Sequence, residues 1–139
     1  MRPILLLSLF TFFLFSCKSQ TYTLDNLPEN LLIFGSGGGI TGEVNTYTLL
    51  ENGQVFYSNS ITKESAEMER LTKREAASCF KKMEDLKLSE MSFDHPGNLY
   101  YFLEEVRGDE KYRVTWGSND HEISEECKTF YKELRTTIK

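Results

Sequence analysis

The chain has two histidines, and each follows an aspartate: Asp94-His95 and Asp120-His121. A neighbouring carboxylate can orient an imidazole for base catalysis or for metal binding. Two His and two Asp would also supply the four donors of a zinc site. Neither pair has the helix or ribbon spacing of such a site, and both fall in polar segments that read as surface loops. The sequence contains no Gly-x-Ser-x-Gly elbow, no His-Glu-x-x-His and no Cys–His nucleophile arrangement. An enzymatic reading would rest on the two Asp-His pairs alone. The sequence therefore predicts no catalytic residue, no cofactor and no metal ligand.

The second unusual feature is Gly35-Ser36-Gly37-Gly38-Gly39, followed by Ile40-Thr41-Gly42. Glycine-rich loops cradle phosphate when a helix starts directly after them, and a P-loop needs Gly-Lys-Ser/Thr. Here a strand pattern follows and neither signature is present. Missing side chains also allow close backbone approach, so that another chain, or an aromatic ring such as Trp116, lies flat on the strand. If that chain is a partner, Gly35, Ser36, Gly37, Gly38, Gly39 and Trp116 form a strand-addition surface. The alternative is an internal bulge or loop. Arg107-Gly108-Asp109 spells an adhesion tripeptide, but Gly and Asp are also what a hairpin tip requires. Glu104-Glu105 reads as solvated charge, and Glu125-Glu126 as a partner for a helix dipole.

Three cysteines, Cys17, Cys79 and Cys127, leave one unpaired in an exported protein. Arg2 followed by the 12-residue apolar run Ile4 to Phe15 fits a signal peptide. As a helix the run would be about 18 Å long, short of the roughly 30 Å hydrocarbon core. Leu14-Phe15-Ser16-Cys17 resembles the lipobox of bacterial lipoproteins, with an apolar residue three before the Cys and a small residue just before it. The resemblance implies cleavage before Cys17 and acyl chains on its sulfur. Ordinary secretory cleavage near Ser19 is the alternative. One acyl chain holds marginally at about 0.8 kcal/mol per methylene, whereas two or three hold almost permanently. Lys18 follows where the family's inner-membrane retention signal would have Asp. No acidic run marks surface export. The implied location is the outer membrane, facing the periplasm. Cys79 and Cys127 fall on apolar helix faces. They either pair, closing a loop of roughly 48 residues worth about 4 kcal/mol in the chain-entropy model, or act as small buried hydrophobes.

Without residues 1–16 the chain carries 15 basic groups (16 less Arg2) against 21 acidic ones, a net −6. This balance argues against nucleic acid and anionic lipid surfaces as partners and favours solubility. The 123 remaining residues suffice for one core. The 13% aromatic content suits a sheet.

The elements follow from periodicity. Residues 17–30 read as a polar, lipidated tether, and 31–139 as one domain. Leu31 to Phe34 is an apolar strand. Glu43 to Leu50 is another, turning at Glu51-Asn52-Gly53. A turn with a bulge pairs Tyr47 and Leu49 with Tyr57 and Val55; a tighter turn would flip the register. The first groups more large apolar residues. Thr72 and Glu75 form a capping box before a helix to about Leu88, with Ala76, Cys79, Phe80, Met83 and Leu86 as its stripe. Phe93 to Asn98 reads as a loop. A second hairpin around Gly108-Asp109 groups Phe102 and Val106 with Tyr112, Val114 and Trp116. Ser124 caps a last helix striped by Cys127, Phe130, Tyr131, Leu134 and Ile138. The expected fold is α+β: an antiparallel sheet of four to five strands, in hairpin-helix, hairpin-helix order, with both helices on one face.

Phe34 to Gly42, with Tyr47, Leu49 and Gly53, resembles small uncharacterised Bacteroidetes lipoproteins. Pro96-Gly97-Asn98, Trp116-Gly117 and Phe130-Tyr131 extend the resemblance over most of residues 31–138. It implies an envelope lipoprotein and brings no activity with it. The expected function is a membrane-anchored, non-catalytic module for a protein or peptide. Inhibition of a periplasmic or foreign hydrolase is the alternative.

Overall fold

A computed structural model describes residues 20–139. The elements run β1 (Asn30–Gly38), β2 (Glu43–Leu50), β3 (Val55–Asn59), β4 (Ser65–Glu67), α1 (Lys73–Leu86), a 3₁₀ turn at Leu88–Glu90, β5 (Asp94–His95), β6 (Leu99–Arg107), β7 (Glu110–Trp116) and α2 (Glu125–Thr137). They form an α+β fold with one sheet, ordered β4-β3-β2-β1-β6-β7-β5. Seven strands replace the four to five expected. The additions are β4, with three residues, and β5, with two, both too short to show a period of two. Part of the expected loop after Phe93 is thus strand β5. It runs parallel to β7, which makes the sheet mixed instead of wholly antiparallel.

Strand β1 lies in the middle of the sheet, and this explains its continuous apolar run. A central strand is buried on both faces, so alternation disappears. Leu32 and Phe34 join the larger core with Leu49, Val55, Leu103, Val114 and Trp116, under Met83 of α1 and Phe130, Tyr131 and Leu134 of α2. Both helices cover this one face. Leu31 points the other way, into a smaller cluster with Leu50, Phe56 and Val106. Tyr22 and Leu27 help to cover that cluster. The segment before β1 therefore packs against the domain. The Tyr22 N–H donates to Gln54 Oε1 at 2.8 Å, and the Gly108 N–H donates to the Glu29 carbonyl at 3.0 Å. The second apolar sheet face needs a cover, and the stretch read as a polar tether supplies part of it.

The β2–β3 hairpin adopts the bulged register, pairing Tyr47 with Tyr57 and Leu49 with Val55. Gly53 takes φ 90° at its turn. The β6–β7 hairpin corrects the sequence reading. Arg107 pairs with Glu110 across a two-residue turn, so Tyr101, Leu103 and Glu105 face Trp116, Val114 and Tyr112. Phe102 and Val106 sit on the opposite face from those three. A slip of one residue exchanges the faces of a strand, and grouping by bulk alone chose the wrong parity.

Helix α1 starts at the expected capping box. The Thr72 hydroxyl accepts from the Glu75 N–H at 3.2 Å, and the Glu75 carboxylate accepts from the Thr72 N–H at 2.8 Å. The Thr72 hydroxyl also donates to that carboxylate at 2.7 Å, and this bond, with the one from the Thr72 N–H, holds the Glu75 carboxyl below its ordinary value of 4.5. A depressed carboxyl stabilises the fold above that value, and the contribution fades as pH falls below it. Thr72→Ala should cost about 1 kcal/mol at neutral pH. Thermal unfolding at pH 7 and pH 3 checks this: the gap between variant and wild type should narrow in acid. Helix α2 is capped by Ser124, whose hydroxyl accepts from the Cys127 N–H at 3.4 Å. Its stripe of Cys127, Phe130, Tyr131, Leu134 and Ile138 is buried throughout.

Candidate functional site

The glycines of β1 make room for rings from the neighbouring strand. Gly35 pairs with Phe102 and Gly37 with Tyr100. A Cβ at Gly35 would lie 2.6 Å from Phe102 Cζ and 2.1 Å from the Asn45 carbonyl. One at Gly37 would lie 2.6 Å from the Tyr100 hydroxyl. Close approach is thus the reason for both glycines, but the rings come from β6 and not from Trp116. Trp116 stands on the helix-covered face, between Tyr101 at 5.9 Å and Tyr131 at 5.4 Å. The Arg113 guanidinium caps Phe102 at 3.8 Å. Both edges of β1 are paired, with β2 on one side and β6 on the other. Strand addition along Gly35–Gly38 therefore finds no free edge; the sheet ends instead at the short β4 and β5.

The glycine stretch still leads to an open surface. Gly38 and Gly39 take φ 100° and 74° as the chain turns. At that end of the sheet Ile40 is fully exposed, with Leu99 opposite Gly38 and Tyr101 opposite Ser36 also exposed. A hollow of about 290 Å³ there is lined by Ser36, Gly38, Glu43, Asn45, Leu99 and Tyr101. Its floor is held by a polar network. The Tyr57 hydroxyl donates to Asn45 Oδ1 at 2.6 Å, Asn59 Nδ2 donates to the same oxygen at 3.1 Å, and Asn59 Nδ2 also donates to Glu43. Tyr101 packs edge-on against Tyr131 at 5.3 Å. Burial pushes the Tyr131 hydroxyl up, partly offset by its hydrogen bond with Ser36. The patch thus sets the apolar Leu99 and Tyr101 beside a hydrogen-bonded polar base.

The structure brings the two histidines together, although His95 lies in β5 and His121 in the segment between β7 and α2. The His95 and His121 rings stack at 3.7 Å with an interplanar angle of 2°, and Phe93 packs edge-on against His95 at 4.8 Å. Lone pairs in two parallel ring planes do not converge on one ion. Among the described residues no group of three or more His, Cys, Asp or Glu is placed to hold a metal. Neither Asp94 nor Asp120 accepts a hydrogen bond from an imidazole, so the orienting contact for base catalysis is not made.

Cys79 and Cys127 are both free thiols, Cys79 half-buried and Cys127 buried. Cys79 lies in the α1–α2 seam beside Phe130 and Leu134. Phe130 is three residues and Leu134 seven residues along α2 from Cys127, and the two thiols are not bonded to each other in this structure. Burial raises both thiols above their ordinary value, which disfavours the reactive thiolate. Cys17 lies outside the described residues. Arg107-Gly108-Asp109 forms the β6–β7 turn, with Gly108 at φ 58° and Arg107 bound to Glu105.

Glu105 is the site residue that sequence reading missed. Taken as solvated charge, it is only 7% exposed and lines a cleft of about 400 Å³ beside α1. The two-residue turn at Gly108-Asp109 was the available signal, because its parity sends one residue of Glu104-Glu105 toward the helices. No protein-family model and no curated protein matches the sequence.

Proposed function

We propose that this chain is a lipid-anchored protein of the bacterial cell envelope, facing the periplasm from the outer membrane, and that it captures a protein or peptide without catalysis. The Leu14–Cys17 lipobox and the resemblance to Bacteroidetes lipoproteins support the anchor. The observation that carries the binding reading is the hollow lined by the exposed Leu99 and Tyr101, with the exposed Ile40 in the turn that follows β1. Exposed aromatic and aliphatic anchors backed by a rigid floor are the usual centre of a protein-recognition surface.

The two ends of the sheet divide the labour. The Gln20 carbonyl accepts from Asn52 at the β2–β3 turn, at 2.7 Å. Cys17 is three residues away, a reach of about 10 Å. Ile40 follows the far end of β1, whose nine residues span about 27 Å. A lipid on Cys17 would thus hold one end of the sheet near the bilayer while the apolar end projects outward. Ile40 stands at a loop tip between Gly39 and Gly42, and this favours inhibition of a hydrolase as the second reading.

Cross-linked co-purification from membranes tests the proposal. Wild type should recover a defined protein set. Ile40→Asp with Leu99→Asp should reduce that recovery at least tenfold at unchanged thermal stability, because both side chains are exposed. Cys17→Ala should move the chain out of the membrane fraction. Retention of Cys17→Ala in membranes, or an unchanged set with the double variant, would overturn the reading. A hydrolase in the set, inhibited by wild type alone, would select the second.

A further inference from the structure

Strand register builds two unlike walls around the hollow at the end of β1. Gly38 pairs with Glu43 on one side and Leu99 on the other, and Ser36 pairs likewise with Asn45 and Tyr101. Residues paired across strands share a face of the sheet, so all six lie on one side. Neighbouring strands stand about 4.8 Å apart, so Glu43 with Asn45 faces Leu99 with Tyr101 across about 10 Å of small-residue floor. The hollow holds about 290 Å³.

We propose that this hollow takes a lysine side chain of the captured protein or peptide, its stem along Leu99 and Tyr101 and its ammonium on Glu43; this rests on the capture reading above.

One wall suits the stem. Leu99 is 59% and Tyr101 39% exposed, which leaves both open to a ligand. Long aliphatic stems bury along such surfaces while the charged head stays in a polar setting. The ring of Tyr101 adds attraction for a cation.

The other wall suits the head. The buried Asn59 donates from Nδ2 to Glu43 Oε1. Asn59 is fixed in turn, because its Oδ1 accepts from the Ile61 and Thr62 N–H groups at 2.9 and 3.0 Å. A carboxylate already ordered in this way costs less to engage. No ion pair among the described residues includes Glu43. Residues 17–139 carry a net −6, which favours a cation over an anion as the incoming charge. An arginine fork uses both carboxylate oxygens. With Oε1 engaged by Asn59, Oε2 suits the point charge of lysine.

The test titrates the full chain, purified from membranes, with N-acetyl-lysine methylamide. The amide NMR signals of Gly38, Glu43 and Leu99 should shift saturably. The norleucine analogue has an apolar stem and no charge, and it should bind at least tenfold more weakly. Added salt should weaken the lysine probe and leave the norleucine probe unchanged. Glu43→Gln keeps an acceptor for Asn59 and removes the charge, so it should lose at least tenfold in affinity for lysine at unchanged thermal stability. Leu99→Ser should lose about threefold and serves if the first variant is unstable. Equal binding of the two probes, no saturation, or full affinity in Glu43→Gln overturns the lysine site. An arginine probe at least tenfold tighter than lysine overturns the choice of cation. Failure of the capture reading shows differently, as a membrane protein set that survives Ile40→Asp with Leu99→Asp. A set lost in that double variant but kept in Glu43→Gln overturns the lysine site alone.

Discussion

Replacing Gly35 with valine is expected to destabilise the domain by more than about 3 kcal/mol, enough to unfold a marginal protein at ambient temperature. The reason is steric, since Gly35 needs no left-handed backbone. Its missing Cβ would meet the Asn45 carbonyl at 2.1 Å and Phe102 Cζ at 2.6 Å. One obstacle is the backbone of β2 and the other is a buried ring, and neither can retreat without breaking pairing in the middle of the sheet. Truncating Phe102 as well should rescue only part of the loss, because the carbonyl remains. Gly42→Ala is the control. No atom lies within 4 Å of its Cβ position, and only the φ of 66° opposes a side chain, at a cost of about 1 kcal/mol. Denaturant unfolding of the three variants separates close approach from loop flexibility. Equal stability of Gly35→Val and wild type would reject the packing account.

The second large effect is expected at Phe34. Its side chain is fully buried on the helix-covered face. It stacks on Tyr47 at 5.1 Å and meets Tyr131 of α2 edge-on at 6.1 Å. Phe34→Ala should cost about 3–5 kcal/mol through lost burial and an unfilled cavity. Each aromatic pair adds about 0.5–1.5 kcal/mol. For a domain of this size the midpoint of thermal unfolding should fall by roughly 10–20 °C. The loss should spread beyond β1, because Tyr131 also supports Tyr101 and Trp116. Hydrogen exchange should therefore rise in α2 and at the start of β6. A shift of only a few degrees would mean that the two aromatic layers are not one cooperative unit.

These effects show where information resides in this chain. Local signals carried far. The capping box at Thr72 and Glu75, the Ser124 cap and the α2 stripe lie where periodicity put them, since each depends on contacts three or four residues apart. The bulged β2–β3 register was legible because only one parity grouped Tyr47, Leu49, Val55 and Tyr57. Other features were decided by partners distant in sequence. Strands β4 and β5 are too short to have a period and exist because a neighbouring strand offers hydrogen bonds. The parity of β6 depended on turn length, which bulk alone does not report, and with it went the burial of Glu105. The segment from Tyr22 to Glu29 has the composition of a tether, yet it docks because the sheet has a second apolar face.

The amino-acid sequence by itself determined the fold class, the two helices with their caps, the hairpin turns and the expectation of a lipidated Cys17. All of these depend on neighbouring residues or on simple periodicity. The tertiary structure decided that β1 is central, that Phe102 and Tyr100 fill the space above Gly35 and Gly37, and that His95 meets His121. It also set Ile40, Leu99 and Tyr101 at one end of the sheet and the Glu105 cleft at the other. Each of these is a contact between distant parts of the chain, and strand order and face determine such contacts while composition does not.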